Sequence, residues 1–204
     1  MKKAAIFTAV VLLGFSAGWF SHPVQQAREE LPQGGMEVPI SPVGPEPFQG
    51  YVFPIAEEDY LMKTSAFGVR VSPILRVERY HIGLDLAGVW RAQIVSVADG
   101  LVVDVYPPPG TRGPRGIVYQ GHKVYGGMIR ILHSDGIESL YAHLSSTRVR
   151  EGQMVRAGDV IGRQGGTGLA TRDHLHFEIL VDGEPVNPLL YLPDLPDVRG
   201  RSER

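Results

Sequence analysis

The chain has no cysteine among its 204 residues. That excludes a disulfide-stapled miniprotein, and it means that any metal ion must be held by nitrogen and oxygen rather than thiolate ligands. An excess of one charge is also missing. Twenty Lys and Arg against 22 Asp and Glu leave a formal net charge of −2, without the basic face of a nucleic-acid binder. No segment carries a helical stripe over three turns. His-Glu-x-x-His does not occur, which excludes a helical zinc site with its own glutamate base. The glycine-rich stretch 162–168 lacks the Gly-Lys-Ser/Thr ending of a phosphate loop and reads as turn chemistry.

What is present divides into four parts. Lys2 and Lys3 precede a run at residues 4–20 that is apolar apart from Thr8, Gly14, Ser16 and Gly18. Basic residues followed by such a run are expected to form an export signal, or an uncleaved membrane anchor with the remainder of the chain outside. Residues 21–50 contain Pro23, Pro32, Pro39, Pro42, Pro45 and Pro47 and keep no apolar periodicity, as in an extended tether. Residues 51–192 are expected to form the folded domain, and 193–204 a polar tail that frays.

Within the folded part, β-branched runs at 94–97 and 101–106 flank Asp99-Gly100, and 128–133 ends at Ser134-Asp135-Gly136. Residues 174–181 read as a strand stopped by Asp182-Gly183. Together with 25 glycines and 16 prolines, this punctuation predicts an all-β, antiparallel domain. Segment 106–127 interrupts the regularity. It carries Arg112, Arg115, His122 and Lys123 but no acid, and reads either as a solvated loop or as a rim for an anionic partner.

Chemistry concentrates in three short motifs, His81-Ile82-Gly83-Leu84-Asp85, Tyr141-Ala142-His143-Leu144 and His174-Leu175-His176-Phe177-Glu178. In one strand, His81 and Asp85 would share an open face, with Gly83 leaving room between them. His174 and His176 would share a face in the same way, and Glu178 continues it. His81, Asp85 and one histidine of the later pair make two imidazoles and one carboxylate. Three protein ligands leave a fourth position open, the pattern of a catalytic zinc. The remaining histidine, with His143, suits acid–base work by its pKa. His133 ends a strand beside a turn and reads as structural.

At these residues the chain resembles the lysostaphin-type (LytM-like) zinc endopeptidases that cut bacterial cell-wall peptide bridges. The likeness begins at Phe67-Gly68-Val69-Arg70 and Pro73 and runs through the three motifs to Val186-Asn187-Pro188-Leu189. The resemblance implies a compact antiparallel sheet with a groove, with His81, Asp85 and His176 as Zn2+ ligands. It implies His143 and His174 as the pair that activates water and stabilises the oxyanion. It also implies peptidoglycan stem peptides or cross-bridges as substrate, in the cell envelope outside the cytoplasmic membrane. The alternative on the same scaffold is a non-catalytic module that binds wall peptides or activates a wall amidase. Arg172-Asp173 stands where the family usually has Gly-Pro, and Val89-Trp90-Arg91 where it has smaller residues.

Overall fold

The structure, a computed structural model, describes residues 50–71, 76–134 and 136–197. The apolar run at 4–20, the tether up to residue 49 and the tail beyond 197 lie outside the described residues. Within them no helix is long and apolar enough to cross a membrane, and the helical segments are three single turns of 3-10 type.

The domain is all-β, as the punctuation predicts. Its first strands are β1 (Tyr60–Ser65), β2 (Gly68–Val71), β3 (Glu78–His81), β4 (Leu84–Gly88), β5 (Gln93–Val95) and β6 (Gly100–Tyr106). Then come β7 (Gly127–His133), β8 (Glu138–Leu144), β9 (Ser146–Thr147), β10 (Met154–Val155), β11 (Val160–Arg163), β12 (Leu175–Val181) and β13 (Glu184–Val186). Every pairing is antiparallel. The main sheet runs β1-β4-β12-β8-β7-β6-β10, with β13 also on β12; β5-β11-β9 form a second sheet and β2-β3 a third.

Strand alternation divides the main sheet into two faces. Leu84 and Leu86, Ile129 and Ile131, Tyr141, and Leu175, Phe177 and Ile179 point one way. There they share a core with Ile94 and Ile161 of the second sheet. Met128, Leu140 and Ala142 point the other way and pack with Tyr125 and Leu180. His176 and Glu178 fall on this second face by the same alternation. His133 belongs to the core side, where its ring is bonded at both nitrogens, Nδ1 to the Asp99 carbonyl at 2.9 Å and Nε2 to Ser139 Oγ at 2.8 Å. Its structural reading holds. The expected tail is partly docked, since Leu195 packs against the core.

Two local departures position the site. His81 and Asp85 do not share one strand. Pairing stops at His81 and resumes at Leu84, so the histidine ends a hairpin strand and the aspartate is the second residue of a strand of the main sheet. The break falls at Gly83, where an added Cβ would lie 2.6 Å from His176 Cε1 and 2.8 Å from the Phe177 carbonyl. The missing side chain therefore makes room for the His176 ring. The second departure is in β8. Gly127 pairs with Leu144 but Ile129 pairs with Tyr141, so β8 spends one extra residue there. This β-bulge moves the core position from 143 to Leu144, which is fully buried, and turns His143 away from the core.

Gly83→Ala is expected to lower unfolding stability by about 1–3 kcal/mol, as overpacking does, and to displace the His176 ring. Denaturant unfolding and the His176 side-chain NMR signals check both, and a variant with wild-type stability and an unmoved ring would refute the account.

Candidate metal centre

Four strand ends and one loop bring the three motifs together. His81 comes from the end of β3, Asp85 from β4, His176 from β12, His143 from the β8 bulge, and His174 from the residue before β12, where it bridges to Gly165. β12 lies between β4 and β8, with His176 opposite both Asp85 and Ala142. All five side chains sought in the sequence therefore meet at one place.

The innermost atoms are His81 Nε2, Asp85 Oδ1 and His176 Nδ1. Oδ1 lies 3.1 Å from His81 Nε2 and 2.9 Å from His176 Nδ1, and the two nitrogens are 3.2 Å apart. Nitrogen and oxygen ligands about 2.0–2.1 Å from a tetrahedral ion are ~3.3 Å from one another, so the three donors are spaced nearly as one cation would need. These residues also form a metal-competent cluster by distance alone, and all three are buried.

The outer nitrogens explain why the inner ones point inward. His81 Nδ1 donates to the Ala66 carbonyl at 2.8 Å, His143 Nδ1 to the Thr167 carbonyl at 2.8 Å and His174 Nδ1 to the Arg172 carbonyl at 2.8 Å. His176 does the reverse, with Nε2 donating to Glu178 Oε1 at 2.8 Å. In a neutral imidazole the nitrogen opposite a donating N–H is a lone pair. Each ring thus turns a lone pair towards Asp85 or towards the space beside it. Lone pairs packed around a carboxylate repel unless a cation lies among them, and two imidazoles with one carboxylate suit a borderline metal such as zinc.

Without a metal, a proton serves. Burial works against protonation of His176, but its bonds to Asp85 and Glu178 outweigh burial and push its pKa up to about 9. Burial would raise Asp85, yet the bonds from His176 and His81 hold its carboxyl well below the usual carboxylate range. His143 goes the other way. Burial first, then the neighbouring His174 and His176, lower it to about 4, so it is a neutral imidazole at neutral pH. Its ring centroid is 4.8 Å from that of His174 and 5.7 Å from that of His176.

His143 also has a left-handed backbone, φ 61°, which costs a non-glycine residue about 1–2 kcal/mol. Its N–H donates to the Tyr125 carbonyl at 2.7 Å. Thr167 binds its ring through the carbonyl and, through Oγ1, joins Leu144 O at 2.7 Å and Gly127 N at 2.8 Å. The glycine-rich loop is therefore more than a turn, since it fixes the His143 ring.

Sequence reading missed several supports. Glu178 is buried and orients His176. Tyr125 donates its hydroxyl to Glu178 Oε1 at 2.8 Å and stacks on His176 at 5.9 Å between centroids. Burial and the Glu178 charge raise the phenol's pKa, so Tyr125 remains a donor. His122 stacks on Tyr125 at 5.0 Å. The end of the 106–127 segment is thus packed against the site, while Arg112 and Arg115 remain exposed. Arg70 Nη2 reaches Asp85 Oδ2 at 3.3 Å. The sequence signal for these was thin: Arg70 and Glu178 belong to the quoted motifs, whereas Tyr125 belongs to none.

Comparison with known proteins identifies the family. The profile of peptidase family M23 matches residues 79–188, more than half of the chain, and the chain belongs to that family. It is 40% identical over 131 residues to the DD-carboxypeptidase/endopeptidase Mpg of Neisseria meningitidis serogroup B, covering 64% of this chain and 27% of that protein. It is 42% identical over 111 residues to the murein hydrolase activator NlpD of Escherichia coli, covering 54% of this chain and 26% of NlpD. The chain thus spans about a quarter of the curated relatives it matches. A zinc-containing peptidase from Vibrio cholerae superposes with TM-score 0.53 and 30% identity, covering 71% of this chain and 41% of that one. The lysostaphin catalytic domain from Staphylococcus simulans superposes with TM-score 0.50 and 25% identity, covering 64% and 90%. The resemblance seen at the motifs thus holds for the fold.

In the metal-free protein, NMR titration should place His176 near pH 9 and His143 near pH 4, with Glu178→Gln lowering the His176 midpoint. A folded pKa above the unfolded value of about 6.5 stabilises the fold below that pH. The His176 contribution should then disappear as pH rises towards 9. His143 acts oppositely, because the unfolded chain takes its proton first, and its cost grows as pH falls from about 6.5 towards 4. A His176 midpoint near 6.5 in the folded protein would contradict this reading.

Proposed function

We propose that the chain is a zinc-dependent endopeptidase that hydrolyses peptide cross-links of peptidoglycan at the bacterial cell envelope, outside the cytoplasmic membrane. The supporting observation is the single cluster in which His81, Asp85 and His176 supply the metal donors while His143 and His174 stand beside them with fixed tautomers. The export signal or anchor expected at residues 4–20 is consistent with that location.

His81 Nε2, Asp85 Oδ1 and His176 Nδ1 would hold the ion, and zinc, when bound, would supply Lewis acidity towards the scissile carbonyl. Glu178, fixed by Tyr125, keeps the His176 ring turned and increases its basicity, as outer partners of ligating histidines do. His143 is kept neutral, so its Nε2 can take a proton from water at neutral pH. His174, also donating through Nδ1, has Nε2 3.6 Å from Asp85 Oδ1, where it can bond the oxygen that gains charge.

A second reading has its own support. The relative NlpD is named a murein hydrolase activator, and a chain on this scaffold could bind wall peptides or an amidase without cutting. The complete five-residue set favours hydrolysis. Purified protein should release mass-identified peptides from defined muropeptide dimers, and chelation should stop it until zinc is restored. Absence of cleavage by the zinc-loaded protein, or cleavage indifferent to chelator, would favour the activator.

The two groups of residues should also separate by mutation. Asp85→Ala removes a donor and should weaken zinc binding by more than the ~10–100-fold typical of an outer-shell change. His143→Ala should keep zinc and slow turnover by about 10²–10⁴-fold. Zinc competition titrations and single-turnover assays check the pair; full activity in the His143 variant would remove that residue from the mechanism.

A further inference from the structure

The hairpin β2–β3 pairs Gly68 with His81, Val69 with Tyr80, Arg70 with Arg79 and Val71 with Glu78. Directly opposed residues share a face, and faces alternate along each strand. Arg70, Arg79, Gly68 and His81 therefore lie on one face, and Val69 and Tyr80, 71% and 60% exposed, lie on the other. The first face is the one turned to the metal centre, because His81 Nε2 is 3.1 Å from Asp85 Oδ1 and Arg70 Nη2 is 3.3 Å from Asp85 Oδ2.

Two arginines directly opposite one another repel, which weakens a hairpin. Asp85 offsets it at Arg70 alone. Arg70 has one carboxylate partner, Asp85, and its side chain remains 32% exposed. Arg79 is exposed, and among the described residues no ion pair joins it to an acid. Glu78, its sequence neighbour, points to the opposite face.

We propose that Arg70 and Arg79 form a carboxylate-binding site for the peptide substrate, which deepens the peptidase reading and rests on it. A carboxylate accepted between two guanidinium forks turns the repulsion into attraction, and the planar fork matches its two oxygens. Arg79 is two residues from His81, roughly 6.5 Å along the strand. An extended peptide advances about 3.3–3.6 Å per residue, so the bound carboxylate belongs to a residue within about two positions of the scissile bond. Its source is either the free C-terminus of a stem peptide or the carboxylate of a branching residue within it.

Arg79 is the residue to change, because Arg70 also touches Asp85. The experiment uses the full chain loaded with zinc and a fluorescently labelled muropeptide dimer in three forms: all carboxylates free, the terminal one amidated, and the branch one amidated. Binding is followed by anisotropy at short times, and cleavage is followed separately by mass spectrometry. Wild-type protein should bind the free form roughly 10–100-fold more tightly than one of the amidated forms, the scale of hydrogen bonds to charged groups. Whichever amidation weakens binding identifies the source. Arg79→Ala should abolish that discrimination with zinc content unchanged, and Arg79→Lys, which loses the fork, should restore only part of it. Equal binding of all three forms by the wild type, or undiminished discrimination by Arg79→Ala, would overturn the proposal. Cleavage is a separate readout: discrimination without cleavage keeps the carboxylate site and removes the hydrolase.

Discussion

The carboxylate of Asp85 is the point about which the site is organised. One oxygen faces His81, His174 and His176, and the other faces Arg70. Burying a charge is costly unless it is paired and fully bonded, and the surrounding fold satisfies that condition. β4 supplies the carboxylate, β12 crosses beside it to bring His176, and the hairpin closes over it with His81 and Arg70. The absent side chain at Gly83 lets those elements approach within ring-contact distance. The histidine lone pairs around Asp85 require either a proton or a metal ion between them, so the cluster is a cation site by construction.

The supports around this centre all act on the outer side of a ring. Backbone carbonyls of Ala66, Thr167 and Arg172 set three tautomers, and the Glu178 carboxylate sets the fourth. The carboxylates of Asp85 and Glu178 raise the basicity of His176 against its burial, whereas burial and the neighbouring His174 and His176 lower that of His143 in spite of its bond to the Thr167 carbonyl. Tyr125 links the two sides. Its hydroxyl fixes Glu178 and its backbone carbonyl fixes His143. The 106–127 segment, which the sequence left between a solvated loop and a rim, therefore ends in a structural brace for both histidines.

Much of this was legible in the residue order. Alternation in His174-Leu175-His176-Phe177-Glu178 gave the strand, its buried side and its polar side. The all-β class followed from Gly and Pro punctuation, and the five side chains that meet at the site came from motif spacing and a family likeness. The break between β3 and β4 was missed because alternation over five residues reads the same in one strand or in two; only the third element, His176 filling the space at Gly83, separates them. The β8 bulge was missed although a trace of it is present. Tyr141 and Leu144 are large apolar residues three apart, and both are core, which a regular strand cannot achieve. Tyr125 left no trace, since its role depends on a contact with Glu178 across 53 positions.

The candidate metal donors and His143 draw on separable parts of this fold. The donors depend on β4, β12 and the hairpin, whereas His143 depends on a bulge in β8 and on the loop that carries Thr167. Removing the bulge would return residue 143 to the core face and leave the donor triad in place. Relatives matched over this domain are named a DD-carboxypeptidase/endopeptidase and a murein hydrolase activator. In this chain the left-handed backbone of His143, its buried neutral imidazole and the buried Asp85 carboxylate lie within one small region. Each is a local cost to stability, and costs of this kind cluster at functional sites.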